Sequence, residues 1–236
     1  MRMTEKKKSV SYWIDYINFL VENNITKIHI SKEYNSYSLI IKIFSHPKFQ
    51  ETKKKIDIIL KCYSPDFNEK KFNKFKLYSQ INQYKIDLGV NKIFAIQWLW
   101  RGSLDNDSQR ILDLNNSRIE INQFIKTIRN KFAKYILSFP YSEDFLISCK
   151  KKINIDGFTI YLNLEEKKFY KYLKYDNFKY ITIRPFIKTN KIMRNLNLKK
   201  ILRLNLKNKK LLGTMISLSK KEEIHKILNI INKKNF

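Results

Sequence analysis

Residues 158–175 read FTIYLNLEEKKFYKYLKY. Phe158 to Leu164 alternates in the two-residue period of a half-buried strand. Glu165-Glu166-Lys167-Lys168 is a polar turn, and Phe169 to Tyr175 returns as the partner strand. Tyr161, Tyr170, Tyr172 and Tyr175 alternate along the two arms, where rings pack across strands. The expectation is a β-hairpin inside an α+β fold.

Working outward, Tyr180 to Ile187 reads as a further strand and Lys207 to Lys210 as a basic turn. Leu211 to Ser217 is the next strand. Ser219-Lys220-Lys221-Glu222 has capping-box spacing before Ile224, Ile227, Leu228 and Ile231, which share a helical face. Upstream, Ser117-Arg118-Ile119-Glu120 is a second capping box. It opens a helix with Ile121, Phe124, Ile125, Ile128, Phe132 and Tyr135 on one side. Phe139-Pro140-Tyr141-Ser142 ends an extended stretch, and Glu143 to Ile155 is a helix stopped at Asp156-Gly157. In the first half, Val10 to Glu22 is an amphipathic helix, and Ile25 to Ile30 and Tyr37 to Phe44 are strands. Gln50 to Tyr63 has Ile56, Ile59, Leu60 and Tyr63 at helical spacing. Lys92 to Trp100 (KIFAIQWLW) is apolar enough to demand burial. Gly102 to Asp107 is the clearest linker signal, so a domain boundary is expected near Leu112.

The chain is strongly basic: 48 Lys and Arg oppose 21 Asp and Glu, a formal net charge of +27 over 236 residues. Such self-repulsion disfavours a compact state, and a polyanion relieves it with release of counterions. Hydrophobic residues at 43% exclude a disordered polycation. Basic and aromatic residues interleave over Asn68 to Lys85, a pattern that suits phosphate contact with base stacking. Gly and Pro number four each, and Ala occurs only at Ala95 and Ala133. This bias toward Lys, Asn, Ile, Phe and Tyr points to an organelle genome or to a very AT-rich bacterium or protist.

Chemistry-bearing motifs are sparse. His29, His46 and His225 stand at no metal-ligand spacing, and no Gly-rich phosphate loop or Gly-x-Ser-x-Gly elbow occurs. Asp105 and Asp107 read as a solvated turn rather than a metal pair. Cys62 and Cys149 read as buried thiols in a reducing compartment. No run reaches the about 18 apolar residues of a membrane span, and Met1 to Lys8 reads as a charged arm rather than a signal. Binding is therefore expected in place of catalysis, with no metal, no cofactor, no membrane and no small-molecule substrate.

Residues 120–225 resemble the bacterial-type S-eight family of small-subunit ribosomal proteins. Ile128-Arg129-Asn130 resembles the end of that family's first helix. Phe139-Pro140-Tyr141-Ser142 resembles its Val-Pro-x-Ser segment, and Gly157-Phe158 its Gly-Phe-Ile. Leu173-Lys174-Tyr175 matches the end of its hairpin strand, and Gly213 to Lys221 (GTMISLSKK) resembles its RNA-binding loop, with Leu218 and Lys221 departing from that pattern. The resemblance implies an S-eight-like two-lobed α/β region with lobes at 113–190 and 191–236, preceded by a lineage-specific extension at 1–112 that docks on rRNA or protein. It implies a non-enzymatic structural constituent of an organellar, mitochondrial small subunit, bound in the matrix to rRNA and neighbouring ribosomal proteins. Arg129, Asn130, Lys131, Lys134, Ser142, Ser217, Ser219, Lys220 and Lys221 would contact RNA by backbone and shape readout. An RNA chaperone, another organellar ribosomal protein, or an organelle-encoded nuclease or maturase are the alternative expectations.

Overall fold

The computed structural model describes residues 8–62, 72–98, 107–163, 168–175, 177–183, 210–216 and 221–232. The chain divides into two compact units, Arg2–Ile155 and Asp156–Phe236.

The first unit alternates helix and strand. Its helices are α1 (Val10–Glu22), α2 (Tyr37–Phe44), α3 (Gln50–Lys54), α4 (Lys74–Leu88), α5 (Ser108–Asn116), α6 (Arg118–Lys131) and α7 (Glu143–Lys152). Its strands are β1 (Lys27–Ile30), β2 (Asp57–Cys62), β3 (Ile93–Trp98) and β4 (Ala133–Ser138). They pair in sequence order and all in parallel, with His29 opposite Ile59, Lys61 opposite Gln97, and Trp98 opposite Ser138. Parallel strands are covered by their crossover helices, so they read as near-continuous apolar runs. Ile58, Ile59 and Leu60 of β2 and Ile93, Ala95 and Ile96 of β3 are all buried. Cys62, Ile96, Trp98 and Ile136 pack against Leu77 and Ile81 of α4 and Phe124 and Ile128 of α6. Side chains alternate along a strand, so Lys61 and Gln97 point away from these helices.

Local chemistry sets the helix ends. Ser9, Asn73 and Ser142 accept from Tyr12 N, Lys76 N and Phe145 N at 3.0–3.1 Å, capping α1, α4 and α7. Gly89 closes α4 in the left-handed region at φ 58°. Asp57 to Cys62 starts three residues after α3 ends, which needs a tight reversal at Lys55-Ile56.

The second unit holds β5 (Gly157–Tyr161), α8 (Tyr170–Tyr175), β6 (Lys179–Ile183), β7 (Leu211–Met215) and α9 (Lys221–Asn232). β5 pairs with β6 and β6 with β7, again in parallel. Gly157 faces Lys179 so closely that a Cβ would lie 1.7 Å from the Lys179 carbonyl oxygen. Gly157→Ala must therefore push β5 and β6 apart, and about 3 kcal/mol of lost stability is expected in urea unfolding. Unfolding at the parent's midpoint would show that the two strands do not meet in this register.

Several expectations are corrected. The fold is parallel β/α and not α+β, and the hairpin does not exist: Tyr170–Tyr175 is helical, and β5 takes its parallel partner from Lys179–Ile183. The alternation in FYKYLKY equally places Phe169 and Leu173, both 3% exposed, four apart on one helical face. Tyr37 to Phe44 is a helix, burying Ile40, Ile43 and Phe44 at i, i+3 and i+4. Gln50 to Tyr63 is no single helix, because the β-branched pair Ile58-Ile59 lies in β2. Ser117 makes no cap. It is wedged between α5 and α6 at φ −105°, ψ 15°, outside the extended region a capping side chain requires. Glu120 pairs instead with Lys74 at 3.7 Å. The second capping box involves Ser219, outside the described residues.

Candidate active site at the carboxyl ends of the first three strands

Ligand and catalytic groups in parallel β/α folds collect where the strands end, since loops there converge on one side of the sheet. In the first unit that place holds a polar cluster in an otherwise apolar setting. His29 comes from β1, Lys61 from β2 and Gln97 from β3. Glu33 and Tyr34 come from the loop after β1.

That loop is pinned before it presents its side chains. The Tyr34 amide donates to Ser31 O at 3.1 Å, and the Glu33 amide to Ser31 Oγ at 3.3 Å. The Tyr84 hydroxyl, on α4, accepts from the Lys32 amide at 2.7 Å and donates to Lys61 O at 3.2 Å. One phenol thus ties the loop to β2, and burial pushes its own pKa up. Beside it Tyr37 donates to Asp87 Oδ2 at 2.7 Å, and Lys32 meets the same carboxylate at 3.4 Å.

His29 sits at the centre. Its Nε2 lies 2.8 Å from Gln97 Oε1, and its Nδ1 lies 3.2 Å from the Tyr34 hydroxyl. An amide oxygen only accepts, so Nε2 carries the proton and Nδ1 is left as an acceptor. The Tyr34 hydroxyl therefore donates to Nδ1. Burial lowers the His29 pKa to about 3, with the Lys61 charge acting in the same direction and the Gln97 bond opposing it. The ring is neutral at any working pH.

Lys61 forms an ion pair with Glu33 in which the side chains are only 11% and 20% exposed, and its ammonium lies 5.8 Å from the Tyr34 ring centroid. A phenol, a neutral imidazole and an ammonium–carboxylate pair thus surround one position at the strand ends. This set can hold a proton at the Tyr34 oxygen and pass it on, with the Glu33-paired Lys61 ammonium against the ring. Among the described residues no group of three or more His, Cys, Asp or Glu could hold a metal ion. The Cys62 and Cys149 thiols, both buried, are raised to about 12 and take no part.

The depressed His29 pKa makes stability depend on pH. The unfolded imidazole titrates near 6.5 and the folded one near 3. Below pH 6.5 the unfolded state binds the proton that the folded state refuses, so stability falls as pH drops toward 3. About 2 kcal/mol of His29-linked loss is expected on going from pH 7.5 to pH 5. His29→Gln should flatten that segment of the stability curve; an unchanged slope would remove His29 as its source.

A second polar centre lies where β4 ends. Asp107 and Arg110, 6% and 1% exposed, pair at 2.6 Å. Arg110 also donates to Phe139 O at 3.0 Å and stacks on the Phe145 ring at 3.7 Å. Asp107 Oδ2 accepts from the Ser142 amide at 2.7 Å, the Ser142 hydroxyl at 2.6 Å and the Tyr141 amide at 3.2 Å. Asp107 is thus no solvated turn residue but the knot that holds Phe139-Pro140-Tyr141-Ser142.

Within the first unit, the described residues expected to bind RNA lie at both ends of β4. Ser142 is spent on Asp107 and on capping α7. Arg129, in the last turn of α6, donates to Asn154 O. Lys131 ends α6 and Lys134 lies in β4, both exposed, at the opposite end of β4 from Ser142. Asn130 is in α6 and Lys221 opens α9. Ser217, Ser219 and Lys220 lie outside the described residues. Sequence reasoning missed His29, Tyr34, Lys61 and Gln97. The available signal was a polar residue one step before the carboxyl end of an apolar strand, as in IILKC and IFAIQW.

No family model matches the chain, and no curated protein matches it. Solved structures do. An aldo-keto reductase from Bacillus halodurans in its holo form superposes with a TM-score of 0.68 at 10% identity, over 97% of this chain and 84% of that one. An aldo/keto reductase from Klebsiella pneumoniae in complex with NADP and acetate gives 0.69 at 6% identity, over 98% and 83%. A thermostable aldo-keto reductase in complex with the inhibitor epalrestat gives 0.63 at 10% identity, over 98% and 85%. These likenesses overturn the S-eight resemblance and the two-lobed fold. They also overturn what rested on it: a non-enzymatic ribosomal constituent with rRNA and ribosomal-protein partners and no small-molecule substrate, and likewise the chaperone and nuclease or maturase alternatives. At this level of identity they establish one thing, that the chain has the fold of the aldo-keto reductases.

Proposed function

We propose that this protein is an oxidoreductase interconverting a carbonyl compound and its alcohol with NADP(H), and that Tyr34 carries the proton. The observation that supports it is the Tyr34 hydroxyl bonded to a neutral His29 beside the Lys61 ammonium, at the strand ends of a reductase fold. The residues present fit such a cofactor at its reacting end: Tyr34 and Glu33 are half-buried, and the Tyr34 hydroxyl is held by His29, which Gln97 holds in turn. When bound, NADP(H) supplies or accepts the hydride.

The chain's own part is the proton. The Tyr34 hydroxyl turns about its C–O bond from His29 Nδ1 to a carbonyl oxygen, with the ring stationary. The proton passes to that oxygen as the carbon receives hydride, and the Lys61 ammonium, 5.8 Å from the Tyr34 ring centroid, favours the phenolate left behind. His29 is a positioning residue: it parks the hydroxyl, and burial, by lowering its pKa, keeps it from taking the proton. The test is NADPH binding by fluorescence, followed by NADPH consumption with a panel of aldehydes and ketones. Binding and turnover are expected. A full chain that binds no NADPH would overturn the reading.

A further inference from the structure

The opposite end of the same sheet carries a separate feature. A cavity of about 690 Å3 opens at the amino ends of β2, β3 and β4, floored by Ile58, Ile93 and Ala133. Its cations are Lys53, Lys54, Lys92, Arg129, Lys131 and Lys134, and its one carboxylate is Asp57. Asp57 is already engaged by Lys27 at 3.8 Å, and Lys54 by Glu51 at 2.6 Å. The amino end of a parallel β/α sheet ordinarily serves stability alone. Gathering six cations there against one carboxylate works against stability.

Lys53 shows that the arrangement is built into the backbone. Its ammonium donates to Phe44 O at 3.3 Å and stands against Gly89, where a Cβ would come within 2.9 Å of Nζ. The left-handed Gly89 thus opens the seat that brings Lys53 to the cavity wall. Lys92, Lys131 and Lys134 are exposed at its rim, where each strand begins. The size suits a compact ligand, and the charge calls for several negative oxygens close together.

We infer that this cavity is an anion site for a compact polyphosphate, a chain of two or three phosphoryl groups, separate from the Tyr34 site. Lys92, Lys131 and Lys134 grip it through charge-assisted hydrogen bonds, and Lys53 meets it from the wall.

Inorganic tripolyphosphate is the probe, titrated calorimetrically into the full chain. It should bind, more weakly as salt rises. A triple variant, Lys92→Gln, Lys131→Gln and Lys134→Gln, should lose at least about tenfold in affinity. The exposed positions keep the fold, which circular dichroism checks. A control with the same charge removed elsewhere, Lys42→Gln, Lys126→Gln and Lys151→Gln, should bind as the parent does. Equal loss in both variants would mean that the probe reads only the overall +27 charge, and loss in neither would empty the cavity of this role; both overturn the proposal. So would a single-stranded oligonucleotide that outbinds tripolyphosphate and depends on the same three lysines. NADPH binding is measured in parallel, and it should be unchanged in the triple variant.

Discussion

Asp107→Ala should destabilise the protein by about 3–5 kcal/mol, the cost of leaving a buried ion without its partner. The Arg110 guanidinium is 1% exposed and cannot reach water when the carboxylate goes. Burial already pulls its pKa down, and Asp107 is what opposes that pull. The same substitution strips acceptors from the Tyr141 and Ser142 amides. Arg110→Met should cost less, about 1–3 kcal/mol. Its aliphatic chain still covers Phe145, and Asp107 keeps three donors from Tyr141 and Ser142. The ordering is the informative result, read from urea midpoints. If Arg110→Met were the worse of the two, the knot would be held by the guanidinium's contacts with Phe139 O and Phe145, with the carboxylate secondary.

Burial was legible because parallel strands covered on both faces leave uninterrupted runs: IIL in β2, expected within a helix, and IFAI in β3 announce burial whatever the element. What those runs cannot announce is direction. Phe158 to Tyr161 has the same alternation in an antiparallel hairpin as in a parallel ladder, and only the helix at Tyr170–Tyr175 separates the two cases. There every apolar residue fits both periods, since Phe169 and Leu173 are four apart and also even-spaced. Tyr37 to Phe44 failed for the same reason, being a short apolar run with no cap hydrogen bond to mark its start.

The candidate site was hidden differently. His29, Lys61 and Gln97 are separated by 32 and 36 positions, and only parallel register places them side by side. Read as an isolated strand, each is an unremarkable polar residue. Once the strands are stacked, three polar side chains share the face away from the helices at one end of the sheet, and that coincidence has no packing explanation. The basic residues tell the opposite story. Arg129, Lys131 and Lys134 are noticeable in the sequence for their charge, and they do gather at one cavity. Ser142, grouped with them by a short motif, stands at the far end of β4.

Tyr34→Phe should lower carbonyl turnover by about 10²–10⁴-fold, or about 3–5 kcal/mol of barrier, while NADPH affinity holds. The variant keeps the ring against which Lys61 lies and removes only the oxygen that His29 positions. His29→Leu tests the other half of the pair. It leaves Tyr34 its proton but takes away the Nδ1 acceptor, so the hydroxyl samples other directions and turnover falls less, by roughly tenfold. The two substitutions should not add: with the phenol gone, losing the histidine removes nothing more from catalysis. A double variant slower than Tyr34→Phe by the full His29 factor would mean that His29 acts on the substrate itself. Equal rates in Tyr34→Phe and parent would place the proton donor elsewhere in the fold, with the Tyr34–His29–Gln97 chain left as a half-buried bracket between β1 and β3.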